Sequence, residues 1–306
     1  MIKNIHSRVI EQGRRPMPSW LKRPITCGGE KNNVETQCAR HDLHTVCIEA
    51  KCPNRGECFG RGTATFLILG TVCSRKCAFC GVSHGTPAPL DFEEPERVCE
   101  AVKNMGLRHV VITSVTRDDL PDGGAGHFAR TVTMLKKNIP GIVVEILVPD
   151  FKGKELSLET VLQSKPDILN HNIETVPRLY PVVRPQALFS RSIHLLAKAA
   201  CSDVQLETKS GLMVGLGETF EEVIQTMRDL RGAKCSLLTI GQYLRPSENQ
   251  VPVHAFILPE EFKRYENIGY NLGFSKVFAG PFVRSSYRAE EMVRKTGDFL
   301  NFKEGF

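Results

Sequence analysis

The chain has 306 residues, 41% hydrophobic and 24% charged, enough to bury a proper core as one large domain or two modest ones. No run approaches the ~18 consecutive apolar residues of a membrane span, and residues 1–15 are basic without an apolar segment, so a cytoplasmic protein without a secretory leader is expected. The net charge of +6 is modest and its Lys and Arg are spread along the chain, which predicts no nucleic-acid or membrane partner and leaves a weak preference for an acidic protein.

Residues 1–62 are irregular, with Pro16, Pro18, Pro24 and Gly28-Gly29 and few periodic apolar runs. They read as an extension draped on a domain, with a single helical pattern over 34–50. The extension ends in Cys47-Ile-Glu-Ala-Lys-Cys52-Pro-Asn-Arg-Gly-Glu-Cys58. Cys47 and Cys52 are slightly more than one helical turn apart, so a regular helix would not close both on one metal. Pro53 and Gly56 break the chain and let Cys58 fold back. Three thiols leave a position open, and a zinc site completed by His41 or His44 is one reading of this pattern.

From residue 63 the texture changes to short, β-branched apolar runs at 63–69, 109–114, 142–148, 167–173, 206–215 and 236–244. Helical patterns lie between them at 95–105, 126–137, 189–200 and 219–231. Alternating strands and helices imply an α/β fold with a parallel sheet. Six units fit a partial (β/α)6 barrel over 63–280 better than a doubly wound sheet, although periodicity alone leaves both open. A helix over 259–272 and an extended run over 274–282 precede a polar tail, 281–306.

The first of these strands runs into Thr71-Val-Cys-Ser-Arg-Lys-Cys-Ala-Phe-Cys-Gly81. Cys73, Cys77 and Cys80 are spaced CxxxCxxC, and in barrels of this kind chemistry sits on the loops that follow strands. Three closely spaced thiolates wrap one iron–sulfur cluster and leave its fourth iron open to a substrate. Zinc is the competing reading, with His84 nearby as a fourth ligand. Six of the eleven cysteines fall between Cys47 and Cys80, which in a chain with no export signal points to metal or catalysis before disulfides. Cys27, Cys38, Cys99, Cys201 and Cys235 read as isolated thiols.

CxxxCxxC after the first strand, with Phe79 before the last cysteine, resembles the radical S-adenosylmethionine superfamily. The resemblance implies a 4Fe–4S cluster on Cys73, Cys77 and Cys80 whose open iron chelates the amino and carboxylate groups of S-adenosylmethionine. Electron transfer then yields a 5′-deoxyadenosyl radical, the cofactor carrying the difficult chemistry. It places Phe79 near the adenine, and Ser114 and Thr116, after the second strand, near the methionine amino group. Asn172 and Glu174 end the fourth strand and alternate, so both can face the interior and meet the ribose. Gly215, in Gly215-Leu-Gly-Glu218, would let backbone approach the adenosine.

The pairing of this motif with the upstream triad goes further. Pro18-Ser-Trp20-Leu21, Glu49-Ala-Lys-Cys-Pro-Asn54, the stretch from Thr113 to Gly124, His171-Asn-Ile-Glu174, the stretch from Thr208 to Glu218 and Arg284-Ser-Ser-Tyr-Arg288 resemble the lipoyl synthase family over nearly the whole chain. That resemblance implies a second, auxiliary 4Fe–4S cluster on Cys47, Cys52 and Cys58, with its fourth iron on a serine of the Arg-Ser-Ser-Tyr segment. The auxiliary cluster is sacrificed to supply two sulfur atoms to C6 and C8 of an octanoyl-lysine, at the cost of two S-adenosylmethionine. The implied partners are octanoylated lipoyl carrier domains, in dehydrogenase E2 subunits or the glycine cleavage H protein, and an electron donor such as ferredoxin or flavodoxin. If the serine segment is extended, Arg284, Ser286 and Arg288 share a face opposite Ser285 and Tyr287, which favours Ser286 over Ser285. Another radical enzyme that inserts sulfur or transfers methylthio groups, and a non-catalytic zinc scaffold, are the alternatives.

Overall fold

In the computed structural model, residues 17–22, 33–61 and 63–292 are described. The predicted features at residues 1–16, Pro24, Cys27, Gly28-Gly29 and the tail beyond residue 292 lie outside them. Among the described residues eight strands form one sheet in chain order: β1 His44–Thr45, β2 Thr65–Ile68, β3 His109–Ser114, β4 Val143–Leu147, β5 Ile168–Asn170, β6 Glu207–Val214, β7 Leu237–Gln242 and β8 Lys276–Gly280. β1 pairs antiparallel to β2, and every later pair is parallel.

Helices Glu94–Asn104, Ala125–Asn138, Glu155–Gln163, Phe189–Ala200, Phe220–Gly232 and Pro259–Asn271 connect successive parallel strands. These are six β/α units. The run over 274–282 contributes β8 beside β7, and β1 and β8 do not pair with each other, so the barrel stays open. Strands covered by helices on one side and by interior side chains on the other are buried on both, which is why β2 and β7 are buried along their whole length and read as continuous apolar runs.

The segment over 34–50 is not one helix. It runs as Asn33–Arg40, then Asp42 turns left-handed at φ 48°, and β1 and the single turn Val46–Glu49 follow. Leu43 N–H closes the helix end on Cys38 O at 2.9 Å, and His44–Thr45 is then free to pair with Leu67 and Phe66 of β2. Val34, Cys38, Leu43, Cys47 and Phe59 share one core with β2, β3 and β4, so the described part of the extension is packed into the barrel.

Inside the barrel, Glu145 of β4 and Lys209 of β6 are fully buried and paired at 2.8 Å, with Asn170 Nδ2 donating to Glu145 Oε1 at 3.1 Å. Burial alone would raise the Glu145 carboxyl; Lys209 and His109 hold it below the ordinary range. Each of these residues stands two positions before a residue nearer the strand ends (Leu147, Asn172, Gly211), so the polar layer is a floor beneath the space those three line. Among the described residues no helix is long and apolar enough to cross a membrane.

Candidate functional site

The C-terminal ends of the parallel strands enclose a cavity of about 460 Å³. Thr113 and Ser114 of β3, Leu147 of β4, Gly211 and Met213 of β6 and Thr239 and Gly241 of β7 line it, and both cysteine motifs open into it.

Cys73, Cys77 and Cys80 all face this cavity. Their loop is tied down on every side: Cys73 N–H donates to Ser83 O at 2.8 Å, Ala78 N–H to Val183 O at 2.9 Å and Gln250 Nε2 to Cys80 O at 3.0 Å. Cys73 Sγ accepts backbone N–H bonds from Arg75 at 3.4 Å and Thr116 at 3.3 Å. Arg75, in the middle of the loop, is buried and donates to Asp118 at 2.7 and 2.9 Å and to Asp150 at 2.6 Å, and Asp150 also accepts from Arg191 at 3.0 Å. Burial would raise the Asp150 carboxyl, but Arg75 holds it far below the usual carboxylate range. This network binds the loops after β2, β3 and β4 to one another.

Burial pushes the Cys77 thiol up and the Cys80 thiol up to about 12. Loading a metal there therefore requires the metal to expel the protons.

Cys47 and Cys52 line the same cavity, and Cys58 lies beside them. Burial, reinforced by the neighbouring thiols, raises Cys58 to about 12, and burial raises Cys47 to about 11. The C-terminal segment lies across this triad. Gly241 makes the passage possible, because a Cβ there would come within 2.1 Å of Val283 O. The Arg-Ser-Ser-Tyr segment is a turn, with Tyr287 N–H on Arg284 O at 3.0 Å and Arg288 at φ 50°, and not the extended strand on which the facing argument rested. Ser285 and Ser286 consequently both line the cavity. Ser286 Oγ accepts a 2.7 Å bond from Thr65 Oγ1, at the start of β2.

Outside the cavity the same segment is strapped to the extension. Asn54 Nδ2 donates to Phe282 O at 2.6 Å, Tyr287 Oη to Glu57 at 2.8 Å, and Arg61 pairs with Glu290 at 3.1 Å and Glu291 at 3.2 Å.

Phe79, Ser114, Thr116, Asn172 and Glu174 line the cavity as well. Asn172 and Glu174 do share a side, joined by a 3.0 Å bond from Asn172 Nδ2 to Glu174 Oε1, although β5 ends at Asn170 and Glu174 sits at φ 64°. Burial raises the Glu174 carboxyl, opposed by the Arg184 charge. Among the described residues Ser114 Oγ and Asn172 Oδ1 have no hydrogen-bond partner, and both are buried. Buried polar atoms are rarely left orphaned, so two of them at one cavity wall fit a ligand that supplies its own amino and hydroxyl groups.

Gly215 is not brought to the cavity. Its N–H is taken by the Glu218 carboxylate, and a Cβ would lie 2.3 Å from Gln242 Nε2 and 2.5 Å from Ala255 O, so this glycine serves backbone packing.

His171, Tyr243 and Thr65 line the site without having been singled out by spacing, and Arg184, a basic residue near a strand end, lines it as well. Arg184 Nη1 donates to Asn172 O at 3.0 Å and Tyr180 Oη at 3.1 Å and so braces the Asn172–Glu174 pair. Among other basic residues near strand ends, Lys209 belongs to the floor, and Arg245 holds Gln250 O at 2.7 Å at the rim. Among the described residues no three His, Cys, Asp or Glu side chains converge as a single metal ion requires. A cubane, with its thiolates on three different irons, accommodates the wider spread.

The Radical SAM superfamily matches residues 67–230. A lipoyl synthase from Caldanaerobacter subterraneus subsp. tengcongensis is 58% identical over 273 residues, 89% of this chain and 95% of that protein. One from Rubrobacter xylanophilus is 54% identical over 92% of this chain and 88% of its own length, and one from Thermus thermophilus 51% identical over 91% and 87%. Among solved structures, methylornithine synthase (PylB) aligns with a TM-score of 0.51 at 16% identity over 90% of both chains. Streptococcus suis SuiB bound to S-adenosylmethionine aligns with a TM-score of 0.56 at 14% identity over 74% of this chain and 54% of that one. At such identities the structures speak to the fold alone; the identity to the curated relatives, over nearly the whole length of both chains, places this chain in the lipoyl synthase family of the radical SAM superfamily.

Proposed function

We propose that this chain converts an octanoyl-lysine on a lipoyl carrier domain into a lipoyl group by inserting sulfur at C6 and C8. One observation carries the reading: one cysteine triad, two cysteines of a second triad and a serine pair, distant in sequence, line a single cavity, with Cys58 beside it. Cys73, Cys77 and Cys80 are assigned to the radical-generating 4Fe–4S cluster. Cys47, Cys52, Cys58 and Ser286, with Ser285 as the other candidate, are assigned to the auxiliary cluster. When bound, the two clusters and S-adenosylmethionine supply the radical that removes one hydrogen from each carbon and the sulfur that replaces it.

The side chains of the chain itself bind and aim. Ser114 Oγ and the Thr116 segment meet the methionine moiety, Asn172 and Glu174 the ribose and Phe79 the adenine. Hydrogen abstraction by a radical needs no general base, and Asp118 and Asp119 are already engaged by Arg75 and Arg117. The 282–292 strap brings Ser285 and Ser286 to the cavity beside the auxiliary triad. Octanoylated domains of dehydrogenase E2 subunits or the glycine cleavage H protein are the expected substrates, in the cytoplasm, with ferredoxin or flavodoxin as reductant. Carriers of that kind tend to be acidic, which suits a net charge of +6.

The test is anaerobic incubation of the iron-loaded protein with octanoylated carrier, S-adenosylmethionine and reductant, followed by mass analysis of the carrier. A lipoyl mass on the lysine is the expected result. A colourless, zinc-loaded protein, or an acceptor that is a free small molecule or a transfer RNA, would overturn the assignment.

A further inference from the structure

We propose that Thr65 is a positioning residue for the serine ligand: its hydroxyl donates to Ser286 Oγ and holds that oxygen ready to bind, and later release, the fourth iron of the auxiliary cluster. The inference rests on the reading of Ser286 as the oxygen ligand.

Thr65 opens β2 and alternates with Leu67 toward the cavity, while Phe66 and Ile68 face away and are fully buried. It is 4% exposed. Its Oγ1 lies 2.7 Å from Ser286 Oγ, and Thr65 and Cys47 line the same cavity, so one hydroxyl stands near both a proposed sulfur ligand and the proposed oxygen ligand. Thr65 and Ser286 are 221 residues apart in sequence, and nothing local brings them together. Among the described residues Ser285 has no such partner, which separates the two serines on a ground independent of which way the segment faces.

The chemistry asks for a donor at this place. A serine that ligates iron gives its proton to water, and the alkoxide left behind is a hard ligand on a soft site. Thr65 keeps its own proton and directs it at that alkoxide, a charge-assisted O–H···O⁻ bond in a buried setting. The bond stabilises the ionised oxygen and would hold it aimed at the iron, as outer partners orient metal ligands. When the iron leaves, the oxygen recovers a proton from water, and the neutral hydroxyl pair returns to the 2.7 Å arrangement.

The experiment compares Thr65→Val, Thr65→Ser, Ser286→Ala and the double variant Thr65→Val/Ser286→Ala, each reconstituted with iron and sulfide. Mössbauer spectra report the distinct iron, and the rate of iron loss to a chelator reports its hold. Valine keeps the shape and suits a strand, so the fold is retained, and secondary structure by circular dichroism checks this. The expected result is an altered signature for one iron and about tenfold faster loss in Thr65→Val, the scale of one hydrogen bond to a charged group. Thr65→Ser restores both, and Thr65→Val has no further effect once Ser286 is alanine. A wild-type signature and rate in Thr65→Val, with Ser286→Ala altered, overturns the role of Thr65 and spares the ligand assignment. A Thr65→Ser protein that behaves like Thr65→Val also overturns it, because the methyl and not the hydroxyl would then matter. An unchanged spectrum in Ser286→Ala removes the ligand assignment and this inference together.

Discussion

Arg75 stands in the first cysteine loop and Arg61 just beyond the second, and the two arginines are held in opposite ways. The Arg75 side chain is 4% exposed and meets Asp150, at 0%, and Asp118, at 15%. The Arg61 side chain is 41% exposed and meets Glu290 and Glu291 at 31% and 33%, while Arg288, 42% exposed, reaches Glu57 across 3.7 Å. Breaking a buried, multiply bonded pair leaves an uncompensated charge out of water, whereas exposed pairs contribute little and are screened by salt. The difference suits the two assignments. Under the proposed assignments, the radical-generating cluster would sit in a loop cross-braced to three strand ends, and the sulfur-donating cluster beside a segment held in part by exposed ion pairs.

The largest expected effects separate the two triads chemically. Cys73→Ala, Cys77→Ala or Cys80→Ala should abolish formation of 5′-deoxyadenosine while iron at the other triad is retained. Cys47→Ala, Cys52→Ala or Cys58→Ala should leave 5′-deoxyadenosine production running but yield no lipoyl product. Chromatography of 5′-deoxyadenosine beside mass analysis of the carrier checks both, and normal product from the second set would make that triad structural.

Stability sharpens the same contrast. Arg75→Met removes the buried partner shared by Asp150 and Asp118, leaving Asp150 with Arg191 alone, and should cost about 3–5 kcal/mol, whereas Arg61→Met should cost about 0.2–1 kcal/mol. Urea denaturation of the metal-free proteins measures both, and similar costs at the two positions would break the comparison.

A pH effect belongs to the buried side. His171 is held at about 4, first by burial and then by the Arg184 charge, against 6.5 when free. Its ring is neutral, with Nδ1 on Val148 O and Nε2 on Ser192 Oγ, both at 2.8 Å. Between those two values the unfolded chain binds a proton that the folded one refuses. The stability linked to His171 is therefore present above about 6.5 and lost as pH falls toward 4, by up to about 3 kcal/mol. His171→Asn should flatten denaturation midpoints over that window; an unchanged slope would mean that the ring is not what titrates.

The smallest effect concerns the strap. Glu57→Gln, or a rise in salt toward 1 M, where the screening length falls to about 3 Å, should speed proteolysis within 282–292 a few-fold and leave the denaturation midpoint nearly unmoved. A strap indifferent to both would show that the Asn54–Phe282 bond and packing hold it, not its charges.

Local pattern determined a good deal of this molecule. The β-branched runs at 109–114 and 236–244 became β3 and β7, because a strand buried on both faces needs an apolar residue at almost every position. The spacing of Cys73, Cys77 and Cys80 put three thiols within eight residues of one loop after a strand, and that loop opens into the cavity. Where the outcome hung on contacts between distant segments, spacing had no purchase. The pattern over 34–50 looked continuously helical, yet pairing of His44–Thr45 with β2 broke it. The motif at Gly215 looked like a place for close approach of a ligand, and Gln242 and Ala255 occupy that side. The choice between Ser285 and Ser286 is of the same kind. Both serines sit in one turn, and what distinguishes them is a hydroxyl on β2 that only the folding of the parallel sheet, and the passage of the C-terminal segment across Gly241, brings within 2.7 Å.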